Sequence, residues 1–348
     1  MRQISRKIAI ILALLLSLAL LASCGEAAEE LPETIEVEEG DATELRILAL
    51  KGPTAMGMVK MMAEADSGAL KDHIYKFELA SAADEAAPRL IQGEVDIAAL
   101  PANLASVVYN KTGGGVKLLA INTLGVLYIV EQGNSIKEVS DLRGKTIYAS
   151  GQGATPEYAL KYILSGNGLD PESDVTIEWK SEHTECLSAL LSDPEGIALL
   201  PEPFVTTAQT KAENLRAALD LTEEWGKIQA ELPAEEMSAL ITGVCVVRSE
   251  FAEEHPEAVA DFMEHYRESA DFVNGEIEEA AALIGSYDIV PEAVALKAIP
   301  KCNIVCTGYP DDVEEAKTML GGYLRVLCGQ NPQAVGGKLP EDDFYYGL

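Results

Sequence analysis

The sequence predicts an α/β protein of two lobes, on three observations. From Leu45 onward short runs rich in Ile, Val and Leu recur, and between them lie stretches that repeat apolar residues at intervals of three and four. This is the βα alternation of parallel sheets covered on both faces. The chain is 48% hydrophobic, and the roughly 300 residues beyond an acidic N-terminal segment exceed what one core usually takes.

Taken in order, "RILALK" is the first strand and "MGMVKMMAEA" the helix after it, and "VDIAALP" gives way to "ANLASVVYNK". "VKLLAINT" and "VLYIVE" are successive strands, and "KTIYAS" leads into "TPEYALKYILSGNG". "VTIEWK", "GIALLP" and "LITGVCVV" continue the strands through residue 247. Beyond that the pattern changes to long helices: "HPEAVADFMEHYRESADFVNGEIEEAAALI" is nearly all helix former, and "DDVEEAKTMLGGYLRVL" is a last helix before a loop-like end. A helical run of this length needs an apolar surface, so it is expected to pack back on the first lobe.

The N-terminus carries Arg2, Arg6 and Lys7, an apolar run from Ile8 and small residues leading to Cys24. Residues 1–23 thus form a secretory signal. "LASC" resembles a bacterial lipobox, which implies cleavage before Cys24, a lipid on that cysteine, and a place on the outer face of the cytoplasmic membrane. Residues 24–44 hold nine carboxylates, no basic residue and no apolar periodicity, and are expected to be a tether because they cannot bury enough surface to fold.

Without the signal, 23 Lys+Arg face 57 Asp+Glu. A chain this acidic repels nucleic acid and anionic lipid. No later apolar stretch is long enough to span a bilayer. Cys186, Cys245, Cys302, Cys306 and Cys328 are irregularly spaced and give no disulfide framework. "CNIVC" has a spacing that suits a metal but lacks a nearby His, so Cys302 and Cys306 are expected as buried thiols, and neither metal nor cofactor is expected.

Ligands of open α/β sheets bind beyond the carboxyl ends of the strands. Those loops are "KGPTAMG", "LPANLAS", "INTLG", "ASGQGATPE", "WKSEHTE", "LPEPFVTT" and "ITG". In "GQGATPE", Thr155 suits a helix N-cap, Pro156 the first helical position and Glu157 the first turn. Backbone N–H groups around Gly153, Ala154 and Thr155 can then receive an anionic or carbonyl oxygen; the alternative is a glycine turn that touches no ligand. No Lys follows the glycines as in a Walker loop, and Pro156 stands where a dinucleotide loop has its third glycine.

Catalytic sets are scarce. There is no G-x-S-x-G or H-E-x-x-H, and His73, His183, His255 and His265 are far apart in sequence. "SEHTEC" groups His183, Glu185 and Cys186, a conceivable metal or acid/base set, although a polar helix cap accounts for it more simply. The sequence argues for binding without chemistry.

The lipobox, "GEVDIAALPANLAS", "DLRGKTIYASGQGATPEYALKYIL" and "HPEAVADFMEHY" together resemble the solute-binding proteins of ABC importers of the nitrate, sulfonate, taurine and thiamine-precursor group. The similarity runs from Leu45 to about Leu327. It implies a type II periplasmic-binding-protein fold, two α/β lobes joined by two hinge crossovers near Asn122–Val126 and Leu240–Val244, with residues 45–123 and 243–348 in one lobe and 124–242 in the other. A monomer that closes on a small molecule and delivers it to a separate permease and ATPase is then expected.

The resemblance places cleft residues at Lys51, Gly52, Pro53 and Thr54; Pro101, Ala102 and Asn103; Asn122 and Thr123; Gly151, Gln152, Gly153, Ala154 and Thr155; Pro201, Glu202 and Pro203; and Thr242. Gly153, Ala154 and Thr155 are assigned as N–H donors, Thr54, Asn103 and Gln152 as neutral hydrogen-bonding groups, and Met56 or Tyr158 as the apolar contact. No Arg lies in these loops; Lys51 is the only nearby cation, with Glu202 opposite. A neutral, zwitterionic or heterocyclic ligand therefore fits as well as a sulfonate. Two other classes share the fold. One is an enzyme of cofactor biosynthesis, of the pyrimidine-synthase or menaquinone-pathway type, against which the export signal argues. The other is a sensory receptor.

Overall fold

The computed structural model describes residues 42–81, 83–212, 214–233 and 237–348. The expected signal, Cys24 and the acidic segment up to Asp41 lie outside these residues. Eleven strands are present among them: β1 (Glu44–Leu50), β2 (Ile74–Ala80), β3 (Ile97–Pro101), β4 (Val116–Leu124), β5 (Leu127–Gln132), β6 (Thr146–Ser150), β7 (Thr176–Lys180), β8 (Ile197–Pro201), β9 (Leu215–Asp220), β10 (Ile241–Arg248) and β11 (Ile304–Gly308). They form a six-stranded sheet, order β11-β4-β10-β3-β1-β2, and a five-stranded sheet, order β7-β6-β8-β5-β9.

Helices α1 (Pro53–Met56), α2 (Val59–Ser67), α3 (Ala83–Ile91) and α4 (Ala102–Thr112) follow strands of the first sheet. The second lobe carries α5 (Thr155–Gly166), α6 (His183–Ser192), α7 (Phe204–Lys211) and α8 (Leu221–Gln229). After the chain returns come α9 (Ser249–Glu254), α10 (Pro256–Gly275), α11 (Ile277–Ser286), α12 (Glu292–Ala298) and α13 (Val313–Gln330).

Both sheets are mixed, where the βα alternation predicts parallel ones. β1 pairs in parallel with β2 and β3, and β6 with β7 and β8. β10, however, runs antiparallel to β3 and β4, and β5 runs antiparallel to β8 and β9. Of the three reversed strands, β5 and β10 follow the passages between sheets, since a chain arriving from the other lobe enters from the carboxyl edge, and the third, β11, runs antiparallel to β4 at the edge of the first sheet.

Three strands lie outside the runs that the sequence pattern singles out. β2 is an edge strand with alternating exposure, and its outward Lys76 and Glu78 dilute the apolar signal. β9, "LRAALD", is also an edge strand, with a composition that suits a helix equally well. β11 interrupts the expected all-helical tail: "IVCTG" pairs with β4, so part of the segment taken as helical completes the first sheet.

The tail helices do cover that sheet. Phe262, Met263 and Tyr266 of α10 are fully buried with Met56, Met58 and Met61, each such side chain contributing roughly 1.5–3 kcal/mol by leaving water. On the opposite face, Leu320, Tyr323, Leu324 and Leu327 of α13 are fully buried with residues of α4 and of the second lobe, including Leu160 and Trp225. No described helix is long and apolar enough to cross a membrane.

Candidate functional site

The two sheets meet at their carboxyl edges. β4 ends at Leu124 and β5 begins at Leu127, which pairs with Pro201 at the end of β8. The short passage therefore sets the ends of β1, β3 and β4 opposite the ends of β6, β7 and β8. Asn303 braces it: its carbonyl accepts from the Leu124 N–H at 3.1 Å, and its side-chain amide donates to Gly125 O.

On the first-lobe edge the groups converge on Gly243, which pairs with both Pro101 and Thr123. A Cβ at Gly243 would lie 2.5 Å from Asn122 Oδ1, 2.7 Å from Thr54 Cγ2 and 3.2 Å from Thr123 Oγ1. Only glycine admits this approach. Asn122 and Thr123 are fully buried, and the Thr123 hydroxyl donates to Asn122 Oδ1 at 3.1 Å. The Thr54 hydroxyl donates back to Leu50 O at 2.8 Å. Asn103 donates to Ala334 O at 3.2 Å and keeps its Oδ1 buried without a partner among the described residues, among which Thr242 Oγ1 is likewise buried and unpartnered.

Three expected residues of this lobe have other surroundings. Lys51 is tied to Asp288, donating to its carbonyl at 2.7 Å and lying 3.0 Å from its carboxylate. Met56 and Ala102 are fully buried in hydrophobic core. Pro53 opens α1, next to Gly52.

In the second lobe, α5 begins one residue earlier than expected. Ala154 is the N-cap, and Thr155 is the first helical residue. The Thr155 hydroxyl does not cap the helix; it meets the Tyr323 hydroxyl of α13 at 2.8 Å in a buried contact, so a tertiary partner outcompetes the local one. Gly153, at φ +80°, has its N–H taken by the carboxylate of Glu157 at 2.6 Å, and the Ala154 N–H donates to Gly151 O. Two of the three assigned donors are thus engaged within the protein. Gln152 is exposed, whereas Tyr158 is buried beside the end of α13, its carbonyl accepting from Gln330.

Removing the Tyr323 hydroxyl should orphan that of Thr155. Tyr323→Phe is expected to cost about 1 kcal/mol, read as a lower urea midpoint at unchanged slope.

Beside the loop, Ser150 Oγ lies 2.6 Å from His183 Nδ1, and the His183 ring packs on Phe204 at 5.1 Å between centroids. Burial pulls His183 down to about 4, so near neutral pH it is an uncharged hydrogen-bonding group and a weak base. Glu185 turns to the Ser181 N–H, and Cys186 is buried and free. The "SEHTEC" residues therefore do not form one acid/base set.

Glu202, between Pro201 and Pro203, is 1% exposed. Burial pushes its carboxyl up, opposed by the Thr206 N–H and hydroxyl at 3.1 Å each and by Lys301, 3.7 Å away across the lobes. Lys301, not Lys51, is the cation that faces Glu202. Lys180 at the end of β7 is 3.0 Å from Glu178.

Residues 69–289 match the family described as ABC transporter, phosphonate, periplasmic substrate-binding protein. The chain belongs to that family. Membership makes it the periplasmic substrate-binding component of an ABC importer, a class that works with a permease and an ATPase and binds a small ligand. No curated protein sequence matches the chain significantly.

Among solved structures, an ABC transporter protein from Parabacteroides distasonis is 23% identical, with 88% of this chain and 98% of that one aligned and a TM-score of 0.70. The aliphatic sulphonate binding protein SsuA from Escherichia coli is 13% identical, covering 86% and 92%, at a TM-score of 0.64. The nitrate-binding protein NrtA from Synechocystis is 13% identical, covering 73% and 69%, at 0.53. Identities this low speak to fold, and the fold is the type II periplasmic-binding arrangement of two α/β lobes.

For this substrate-binding protein, sequence reasoning put Ser150, His183 and Gly243 in strand-end loops without assigning them to the cleft, and missed Lys301 and Asn303 as parts of the edge. Gly243 carried a signal, a glycine inside a strand otherwise rich in β-branched residues. Lys301 and Asn303 carried none, because they reach the passage between lobes only once β11 joins the first sheet.

Proposed function

We propose that the protein captures a small polar molecule of the sulfonate, nitrate or thiamine-pyrimidine kind between the two carboxyl edges, mainly through neutral hydrogen bonds. The observation that carries this is the pair of buried, unpartnered oxygens at one edge, Asn103 Oδ1 and Thr242 Oγ1. A buried polar atom without a partner costs about 1–3 kcal/mol, a cost that recognition of a ligand explains. The lysines of these loops support the same reading: Lys51, Lys180 and Lys301 each already have a carboxylate partner.

Thermal unfolding of the purified protein against alkanesulfonates, taurine, phosphonates, nitrate, thiamine and its pyrimidine tests this. A true ligand at a hundred times its dissociation constant adds about 2.7 kcal/mol. Thr242→Val should weaken that ligand at least about tenfold while leaving the unliganded midpoint equal or higher, because the lost hydroxyl has nothing to bond in the free protein. Unchanged affinity in the variant would remove Thr242 from the site.

The anchor belongs to the same proposal. Cys24 at the end of "LASC" is read as a lipidated N-terminus that holds the protein at the outer face of the cytoplasmic membrane. Cys24→Ala should move the protein from the membrane fraction to the soluble fraction with ligand affinity unchanged. Retention on the membrane would contradict the lipid anchor.

A further inference from the structure

At the amino edge of the first sheet, away from the ligand edge, four metal-ligating side chains meet. Asp72 and His73 lie in the turn before β2, and Asp261 and His265 stand one helical turn apart on α10. Asp72 Oδ2 is held twice, by the Tyr75 hydroxyl at 2.7 Å and by His265 Nε2 at 2.8 Å. Its other oxygen, Oδ1, is buried and has no partner among the described residues. His73 Nε2 lies 3.1 Å from Asp261 Oδ2. One ligand atom each from Asp72, His73 and Asp261 lies within 4.8 Å of the other two.

We infer that Asp72, His73 and Asp261 form a site for a divalent transition metal such as zinc, with His265 and Tyr75 orienting Asp72. Bonds of about 2.0–2.2 Å in a tetrahedral site set ligand atoms roughly 3.3 Å apart, so the three atoms reach that spacing by small side-chain rotations. Two carboxylates balance the charge of the ion, and an imidazole favours zinc over calcium or magnesium. The hydrogen bonds on Asp72 Oδ2 are the outer partners that fix a ligating carboxylate. The metal takes the place of the proton between His73 and Asp261. The neutral ring's single proton moves from Nε2 to Nδ1, and the 3.3 Å contact that Nδ1 accepts from the Thr43 N–H is given up. The ion would fasten α10 to the turn before β2.

The test is calorimetric titration of ZnCl2 into the full chain, purified in detergent and stripped with a chelator. One equivalent should bind, and His73→Gln and Asp261→Asn should each weaken it at least tenfold. Both variants keep hydrogen-bonding capacity, and an unliganded unfolding midpoint close to that of the parent shows that they fold. Cys328→Ser, which alters a free thiol far from the turn in sequence, should leave affinity unchanged. No binding by the parent chain, or equal affinity in the His73 and Asp261 variants, overturns the inference.

Discussion

Gly243→Val should abolish ligand capture and lower the unfolding midpoint together. Gly243 has no side chain because three others occupy the space: Asn122 Oδ1, Thr54 Cγ2 and Thr123 Oγ1 lie 2.5, 2.7 and 3.2 Å from where a Cβ would be. Inserting a branched side chain there forces these groups off their positions, at about 1–3 kcal/mol for overpacking. The displaced groups stand at the carboxyl edge beside Thr242 and Asn103, so the stability loss and the binding loss have one cause. Thermal unfolding with and without the ligand found by screening separates the two effects. A folded valine variant that binds as well as the parent would place the ligand elsewhere. Gly243→Ala, a smaller intrusion, should fall between the two.

The architecture was legible because the two lobes are built from buried strands. "IAALP" of β3, "IALLP" of β8 and most of "VKLLAINTL" of β4 are buried along their length, and such runs stand out in a sequence. What escaped notice was edge or tail: β2 and β9 have one polar face, and β11 is five residues inside a helix-rich stretch. The mixed strand directions could not be read either, since period and composition carry no sense of direction.

The candidate site was legible as loops and not as side chains. Strand ends located the edge that holds Thr54, Asn103, Asn122, Thr123 and Thr242. Partners chosen by the fold then decided which atoms stay available: Asp288 takes Lys51, Glu157 takes the Gly153 N–H and Tyr323 takes Thr155. Two of these partners come from parts of the chain more than 150 residues away, and no local pattern announces them. Glu157 is the exception, being four residues from the group it caps, a competition that a sequence could have suggested.

The largest loss of stability is expected at Glu131, away from the ligand. This carboxylate on β5 is 1% exposed and accepts from the Ser135 N–H at 3.0 Å, the Ser135 hydroxyl at 2.8 Å and the Ile136 N–H at 3.2 Å, with Arg216 as its ion-pair partner. Burial alone would raise its pKa, but these donors outweigh burial and hold it below the usual carboxylate value. Glu131→Ala leaves the Ser135 and Ile136 donors without their acceptor and Arg216 without its carboxylate, with only Ile136 O still accepting from the guanidinium. Breaking a buried pair costs about 3–5 kcal/mol, and the partial exposure of Arg216 puts the expected loss near the lower figure, a fall of several degrees in midpoint. The pH dependence has a definite sign. A carboxyl depressed in the folded state contributes stability above its unfolded pKa and loses it as pH falls through the folded value. Glu131→Gln should therefore flatten the acid side of the stability curve. Glu202, raised by burial, acts in the opposite sense: its contribution is lost as pH rises through the raised value, so Glu202→Gln should remove a stability loss at neutral pH. Midpoints from about pH 3 to 8 for both glutamine variants test the pair, and parallel curves for parent and variants would contradict both assignments.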